Sequence, residues 1–182
     1  MRPQPAVLAL ILALSAPAAV LAAAAPIDPA LFDANTAHSR SFTKAIDIAA
    51  PPAQVYALWT EPAAWQGLMG PQSRANIDLE IGGRYEWLFD GTIGSNGCQV
   101  LSYIPGRMVS FTWNAPPGQA TRERRSWVVV ETTPAADGGT HLVLTHLGFG
   151  QGADWDQTYA YNDSAWGRVL PLMKQHLEGA GK

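Results

Sequence analysis

The chain has 182 residues and a formal net charge of −3 at pH 7, and 47% of its residues are hydrophobic. Length and composition fit one globular domain, and the weakly acidic balance argues against a nucleic-acid-binding protein, because phosphate contacts require clustered lysine and arginine. The short basic run Arg122-Glu123-Arg124-Arg125 is interrupted by an acid. We interpret it as a solvent-exposed segment that leads into a strand, with an anion-binding site as the alternative.

The N-terminal segment has the three parts of a secretory signal peptide. Arg2 gives a positive start, residues 6–14 (AVLALILAL) form an apolar run, and residues 20–25 are mostly small. The run is shorter than the about 20 residues that a helix needs to span a bilayer. We therefore predict a signal peptide over 1–25, a lead-in over 26–38 and a periplasmic or secreted protein with no stable membrane span after cleavage. An uncleaved anchor is the alternative.

From residue 39 the pattern predicts a strand, two short helices and six further strands. The first strand is predicted over 39–48 and the first helix over 53–60, after which Pro62 separates it from a turn that carries Trp65. The later strands are predicted over 77–81, 85–89, 97–103, 108–114, 124–132 and 140–147.

Apolar side chains recur every three or four residues from Tyr159 to Leu177, which predicts a long amphipathic helix that ends near Gly179. Pro171 is expected to bend this helix, and Asp154 and Asp156 are interpreted as residues of a solvated loop before it. An antiparallel sheet must cover its apolar face, and no other predicted element is long enough. The sequence therefore predicts an α+β fold in which a curved antiparallel sheet wraps around the C-terminal helix and leaves a concavity for a ligand.

Six segments together resemble the START-like, helix-grip superfamily, and within it the branch named after the C-terminal domain of the Hsp90 ATPase activator. They are IDIAAPPAQVYALWTEPAAW, DLEIGGRYEW, MVSFTW, the hairpin at 133–139, LVLTHLGF and AWGRVLPLMKQHLEG. The resemblance implies a START-like domain over 39–179 with a ligand cavity between sheet and helix, and it carries over no catalytic set. The chain departs from the family pattern at Ala165-Trp166, where the family often has Gly-Trp, and at 154–163, which resembles an insertion before the last helix.

Strand parity and helical spacing select the side chains that face the concavity. The candidates for the ligand pocket are Trp59, Trp65, Tyr85, Trp87, Phe89, Phe111, Trp113, His146, Phe149, Trp166 and Met173. Aromatic walls suit a small hydrophobic or aromatic ligand, whereas core filling is the alternative for each single tryptophan. Parity also points Val128 and Val130 inward and Trp127 outward, where an exposed ring would indicate a contact surface.

His146 shares the inward face of the last strand and is predicted to lie near the cavity mouth. It is either an acid–base partner of Tyr85, as a cyclase-like site would need, or a locally hydrogen-bonded residue, which we favour. His141 is five residues away and points to the opposite face, so the two do not form a metal pair. Cys98, the only cysteine, is predicted to be a buried thiol.

We therefore predict an exported START-like domain that binds a small hydrophobic molecule, with no assigned catalytic residue, metal or cofactor. A cyclase- or hydrolase-like enzyme that uses the same cavity is one alternative. A protein-interaction module outside the cytosol is another, although a signal peptide would separate the chain from cytosolic Hsp90. A homo-oligomer is allowed but not indicated.

Overall fold

A computed structural model describes residues 40–179, so the predicted signal peptide and lead-in lie outside the described residues. The elements follow one another in the predicted order, as strand, two short helices, six strands and a long helix. The strands are β1 (Arg40–Ile48), β2 (Arg74–Ile77), β3 (Tyr85–Leu88), β4 (Val100–Ile104), β5 (Met108–Trp113), β6 (Ser126–Pro134) and β7 (Thr140–Phe149). The helices are α1 (Pro52–Thr60), α2 (Pro62–Met69) and α3 (Ala153–Gly179).

The strands form an antiparallel sheet of five and a separate hairpin of two. The larger sheet has the order β1-β7-β6-β5-β4, and β2 pairs with β3. The hairpin adjoins the β4 edge, where Tyr85 N–H donates to the carbonyl of Cys98 and Val100 N–H donates to the carbonyl of Gly83, each at 2.8 Å. The α+β fold with a curved sheet and a long C-terminal helix is therefore confirmed, with β2 and β3 as an appended ribbon.

The second predicted strand was placed too far along the chain. Residues 78–83 form the bend of the β2–β3 hairpin, and Ile81, which the prediction placed in the strand, is 66% exposed. The bend is held because Arg84 Nε donates to Asp78 Oδ2 at 2.8 Å. A Cβ on Gly83 would lie 2.2 Å from the carbonyl oxygen of Asp78, so this tight bend requires glycine.

The helix α3 begins at Ala153, so the segment 154–163 is helical, and its placement before the helix, with Asp154 and Asp156 in a loop, is wrong. Asp154 and Asp156 lie in its first turn, where negative charge is favourable, and Asp156 Oδ1 lies 2.6 Å from Arg40 Nη1. The helix continues through Pro171, which has no N–H to donate to the carbonyl of Gly167. Among residues 40–179, no helix is both long and apolar enough for a membrane crossing.

The parity of β6 and β7 is confirmed, whereas the predicted end of β7 is wrong. Val128 and Val130 are buried in the core, and β7 continues beyond His146 to Phe149. Gly148 has a φ of +87°, and a Cβ there would lie 2.3 Å from the ring of Trp127, which is half-buried on the outer face.

Gly94 and Gly67 provide a paired test of local backbone packing. A Cβ on Gly94 would lie 1.7 Å from the carbonyl oxygen of Trp87, whereas one on the helical, exposed Gly67 would meet only His176 at 3.9 Å. We expect Gly94→Ala to lower the free energy of unfolding by about 3 kcal/mol through overpacking. Gly67→Ala should raise it by about 0.5–1 kcal/mol, because alanine favours helix. Urea denaturation measures both, and equal effects would contradict the packing described.

Candidate functional site

A cavity of about 400 Å³ opens between α3, the end of β3 and the loops that follow β3 and β5. The helix presents one face to it, through Tyr161, Ala165, Trp166 and Val169, because residues three or four apart lie side by side. The remaining apolar wall comes from Trp87, Phe89, Ile93, Trp113, Pro116 and Pro117, and the polar side chains at its edge are those of Asp90, Ser95, Asn114, Arg122 and Asn162.

Three tryptophans form the floor of this cavity. The ring centroids of Trp113 and Trp166 lie 5.3 Å apart, and those of Trp87 and Trp113 lie 5.7 Å apart with planes at 86°. Trp87 also contacts Trp166, with ring centroids 6.0 Å apart. All three rings are buried, whereas Phe89 and Tyr161 at the mouth are each 45% exposed. The cavity therefore has a rigid aromatic floor and an apolar, exposed rim.

Four of the eleven predicted pocket residues, Trp87, Phe89, Trp113 and Trp166, line the cavity. Five others belong to the packed core beside it, namely Trp59, Trp65, Tyr85, Phe111 and Met173. The rings of Trp65 and Trp87 stack with centroids 3.9 Å apart, and those of Tyr85 and Phe111 stack at 3.7 Å. Their inclusion as pocket walls is corrected, because these side chains fill most of the predicted concavity and leave only its end open.

His146 lies in the interior, and its prediction as a mouth residue is wrong because β7 continues past it to Phe149. The rings of His146 and Phe149 have centroids 4.5 Å apart, and Phe149 is itself fully buried, so neither residue lines the cavity. Trp166 Nε1 donates to His146 Nδ1 at 3.0 Å. An indole N–H only donates, so Nδ1 carries no proton and Nε2–H donates to Ser126 Oγ at 2.8 Å. Burial lowers the pKa of His146 to about 3, which keeps the ring neutral.

Arg122 joins the two loops at the cavity edge, a role that the sequence did not reveal, since it indicated only a solvated basic run with an anion site as the alternative. Its Nη2 donates to the carbonyl of Gly94 at 2.8 Å and to Asn96 Oδ1 at 3.0 Å. Its Nη1 donates to Asn114 Oδ1 at 3.2 Å and to the carbonyl of Ala115. These acceptors come from two distant parts of the chain, so no spacing rule reveals the arrangement.

The interpretation of the basic run as solvated is also corrected. Arg122 is half-buried and Arg125 is only 8% exposed, whereas Glu123 and Arg124 between them face solvent. The run enters β6 through a turn in which Arg124 N–H donates to the carbonyl of Thr121 at 2.8 Å, and the first and last residues of the run point toward the protein. Two cations are therefore placed inward where the sequence indicated an exposed strand entry.

The family model for the activator of Hsp90 ATPase homolog 1-like protein (AHSA1) matches residues 49–178. The chain belongs to this family. No curated protein matches the chain.

Solved structures share the AHSA1-like fold. A protein from Mesorhizobium loti is 23% identical with a TM-score of 0.62, over 76% of this chain and 97% of that one. An AHSA1-like protein from Rhizobium etli is 25% identical with a TM-score of 0.55, over 76% of this chain and 82% of that one. The Aha1 dimer from Colwellia psychrerythraea is 17% identical with a TM-score of 0.58, over 76% of this chain and 96% of that one.

The other titratable side chains singled out in this AHSA1-like domain are engaged in its interior or at its surface. The hydroxyl of Tyr85 donates to the carbonyl of Trp59 at 2.7 Å, and burial raises its pKa well above the usual value. Cys98 is buried as predicted, and burial raises its pKa to about 12, so the thiol stays protonated. His141 faces outward, with Nδ1 2.6 Å from Asp47 Oδ1, which confirms that it opposes His146. Within residues 40–179 no cluster of His, Cys, Asp and Glu has the composition of a metal site.

The buried imidazole predicts a pH dependence of stability in this AHSA1-like domain. The pKa of His146 is about 3 in the fold and about 6.5 in the unfolded chain, so the unfolded chain binds the extra proton. Its contribution is complete above about pH 6.5 and is lost as the pH falls toward 3. From pH 7 to 5 this costs about 2 kcal/mol, a loss that His146→Gln should remove.

Urea denaturation at pH 7, 6 and 5 measures this dependence. His141→Gln is the matched control, because it removes a histidine of the same strand that is exposed. In His141→Gln the free energy of unfolding should still fall steeply from pH 7 to 5, whereas in His146→Gln this fall should be absent. If the two variants showed the same dependence as the unmodified chain, the buried neutral imidazole would be contradicted.

Proposed function

We propose that this AHSA1-like domain binds a small apolar, ring-bearing molecule in the cavity between α3 and the sheet. The observation that carries the proposal is the cavity itself, with a volume of about 400 Å³ and a floor of three tryptophans. Ligand pockets range from about 300 to 1,000 Å³ and are lined mainly by apolar and aromatic side chains. The AHSA1-like, START-like fold is compatible with a ligand-binding role of this kind.

The rim of the cavity supports the proposal independently of its volume. Among residues 40–179, six large apolar side chains are exposed, and three of them, Phe89, Ile93 and Tyr161, line this one cavity. Scattered exposed apolar residues need no explanation, whereas a group around a concave site marks a surface that an apolar partner covers. A ligand that enters the cavity would remove these side chains from water.

The geometry gives the alternative functions less support. An acid–base mechanism through His146 and Tyr85 would need both side chains in the cavity wall, and both are instead held by hydrogen bonds behind it. The interaction-module alternative followed from the family's name, with an exposed Trp127 as its candidate contact surface, and this ring is half-buried over Gly148. Ligand binding is therefore the function that this geometry supports best.

Filling the cavity should abolish binding. Ala165 lines it from α3, and Ala165→Phe would place a ring in the space beside Trp166. We expect the affinity for the neutral fluorescent probe N-phenylnaphthylamine to fall by at least about tenfold, which corresponds to about 1.4 kcal/mol. Fluorescence titration of the purified domain measures the affinity, and the melting temperature reports whether the variant folds.

Ala160→Phe is the matched control, because Ala160 lies on the same helix, is exposed and does not line the cavity. It should bind the probe as the unmodified chain does.

A second pair of variants distinguishes binding in the cavity from nonspecific binding to exposed apolar surface. Ile93 and Ile104 are 48% and 47% exposed, and only Ile93 lines the cavity. Ile93→Ser should weaken binding and Ile104→Ser should not. Equal effects within either pair would overturn the site.

We also propose that the protein is exported, from the positive start, apolar run and small residues of 1–25. Expression of the full chain in a Gram-negative host should yield a periplasmic protein cleaved between residues 22 and 26. Intact mass spectrometry of the periplasmic fraction gives the cleavage position. Leu10→Arg interrupts the apolar run and should leave the full-length precursor in the cytoplasm. An uncleaved full-length chain in the membrane fraction would support the anchor alternative instead.

A further inference from the structure

The guanidinium of Arg122 carries a positive charge at the cavity edge that no carboxylate neutralises. Its four hydrogen-bond acceptors are backbone carbonyls and asparagine side chains, all of them neutral. None of the ion pairs found within residues 40–179 involves this side chain. Burial is the main cause that lowers the pKa of Arg122, which reflects the cost of desolvating its charge.

A second cation, Arg125, lies behind Arg122 and adds to the positive field. It is only 8% exposed, and its Nη1 donates to the backbone carbonyls of Arg122 at 3.2 Å and Arg124 at 3.4 Å. Its Nε has no hydrogen-bond partner in the structure, and none of the ion pairs in the described part of the chain includes it. A buried cation without a counter-charge is costly, so this wall favours an anion.

Exposed Glu123, next to Arg122 in the chain, acts on it through its charge, which raises the pKa of Arg122, but it forms none of the ion pairs within residues 40–179. Two other carboxylates near this wall have their hydrogen bonds elsewhere. Asp90 lines the same cavity, but its Oδ1 accepts from the backbone N–H groups of Thr92 at 2.9 Å and Ile93 at 2.6 Å. Glu86 accepts from the backbone N–H of Gly97 at 2.7 Å. Neither carboxylate bonds to a guanidinium of the wall, so the charge that would balance Arg122 is left to a bound molecule.

We propose that the cavity binds a ring-bearing monoanion, such as an aromatic carboxylate or sulfonate, whose charged group lies beside Arg122 and whose ring lies on the tryptophan floor. This inference rests on the proposed function and specifies its ligand class. The four Nη hydrogens are already donated to the loops, so the preference comes from the positive charge of Arg122 beside an apolar floor, where little water screens the interaction with an anion. Arg122 thereby has two tasks, joining the loops and recognising the anion.

Two probes that differ only in charge test the inference. Anilinonaphthalene sulfonate carries a sulfonate, and N-phenylnaphthylamine has the same ring system without it. We expect the unmodified chain to bind the sulfonate about tenfold more tightly at low ionic strength, a difference typical of one charge-assisted contact. Arg122→Gln should bring the two affinities within about twofold of each other, because it weakens binding of the sulfonate more than binding of the neutral probe.

Three further variants locate the effect. Arg124→Gln removes the neighbouring exposed cation, which does not line this cavity, and should preserve the preference for the sulfonate. Arg122→Lys keeps the charge but loses most of the hydrogen bonds to the loops, and should retain part of the preference. Ala165→Phe should weaken both probes together, which places them in the cavity.

The outcomes separate this inference from the proposed function. If the unmodified chain bound both probes equally and Ala165→Phe weakened both, the ligand site would stand and the charge recognition would be overturned. If neither probe bound, both proposals would fail. An equal loss of the preference in Arg124→Gln would show a general surface field and overturn the role of Arg122. A weakening of both probes alike in Arg122→Gln would show that Arg122 only joins the loops. If that variant did not fold, the unmodified chain and Arg122→Lys would decide the question.

Discussion

The hydrogen bond between the indole of Trp166 and the imidazole of His146 fixes α3 on the sheet. Nδ1 of the imidazole accepts from the helix, and Nε2–H donates to Ser126 of β6, so the ring is held from both sides. All three side chains are buried, where an unmade hydrogen bond costs more than a made one gains. The orientation of Trp166, and with it the helix wall of the cavity, is therefore set in the absence of any ligand.

The aromatic interior divides the space between helix and sheet into a filled part and an open part. Trp59 contacts both Trp87 and Trp166, with ring centroids 5.2 and 5.8 Å apart, and α1 and α2 supply Trp59 and Trp65 to the filled part. The open part lies beside α3, where side chains of α1 and α2 do not line the space and the loops after β3 and β5 complete the wall. Because Arg122 joins these loops, a residue outside the aromatic core sets the width of the mouth.

The sequence predicted those features that depend on local periodicity. Alternation placed Val128 and Val130 inward because strand side chains alternate regardless of what packs on them. Helical spacing missed the start of α3, because only Trp155 and Thr158 are buried in its first turns and the polar side chains around them resemble those of a loop. Alternation placed β2 too late because the bend at 78–83 also alternates in polarity. Local pattern thus identifies the elements but not their ends.

The candidate site was less predictable, because its depth and its polar contacts are tertiary properties. Strand alternation correctly predicted that His146 faces inward. Whether an inward-facing residue lies at the cavity mouth or in the protein interior depends on what covers it. The same limit applies to the tryptophans, since a ring in the core and a ring on the floor have equivalent sequence patterns. Arg122 had no pattern of its own, because its partners Gly94 and Ala115 become neighbours only in the fold.

The floor and the edge of the cavity make different contributions to selectivity. The floor lies on the sheet and α3, where packing fixes the rings, so it sets the size and flatness of what fits. The edge lies on loops, which carry specificity in many folds because the scaffold does not depend on them. A low-polarity floor also strengthens the field of a nearby charge, because little water screens it. The apolar walls and Arg122 therefore act together: rings that displace water from the floor increase the advantage of an anionic ligand over a neutral one.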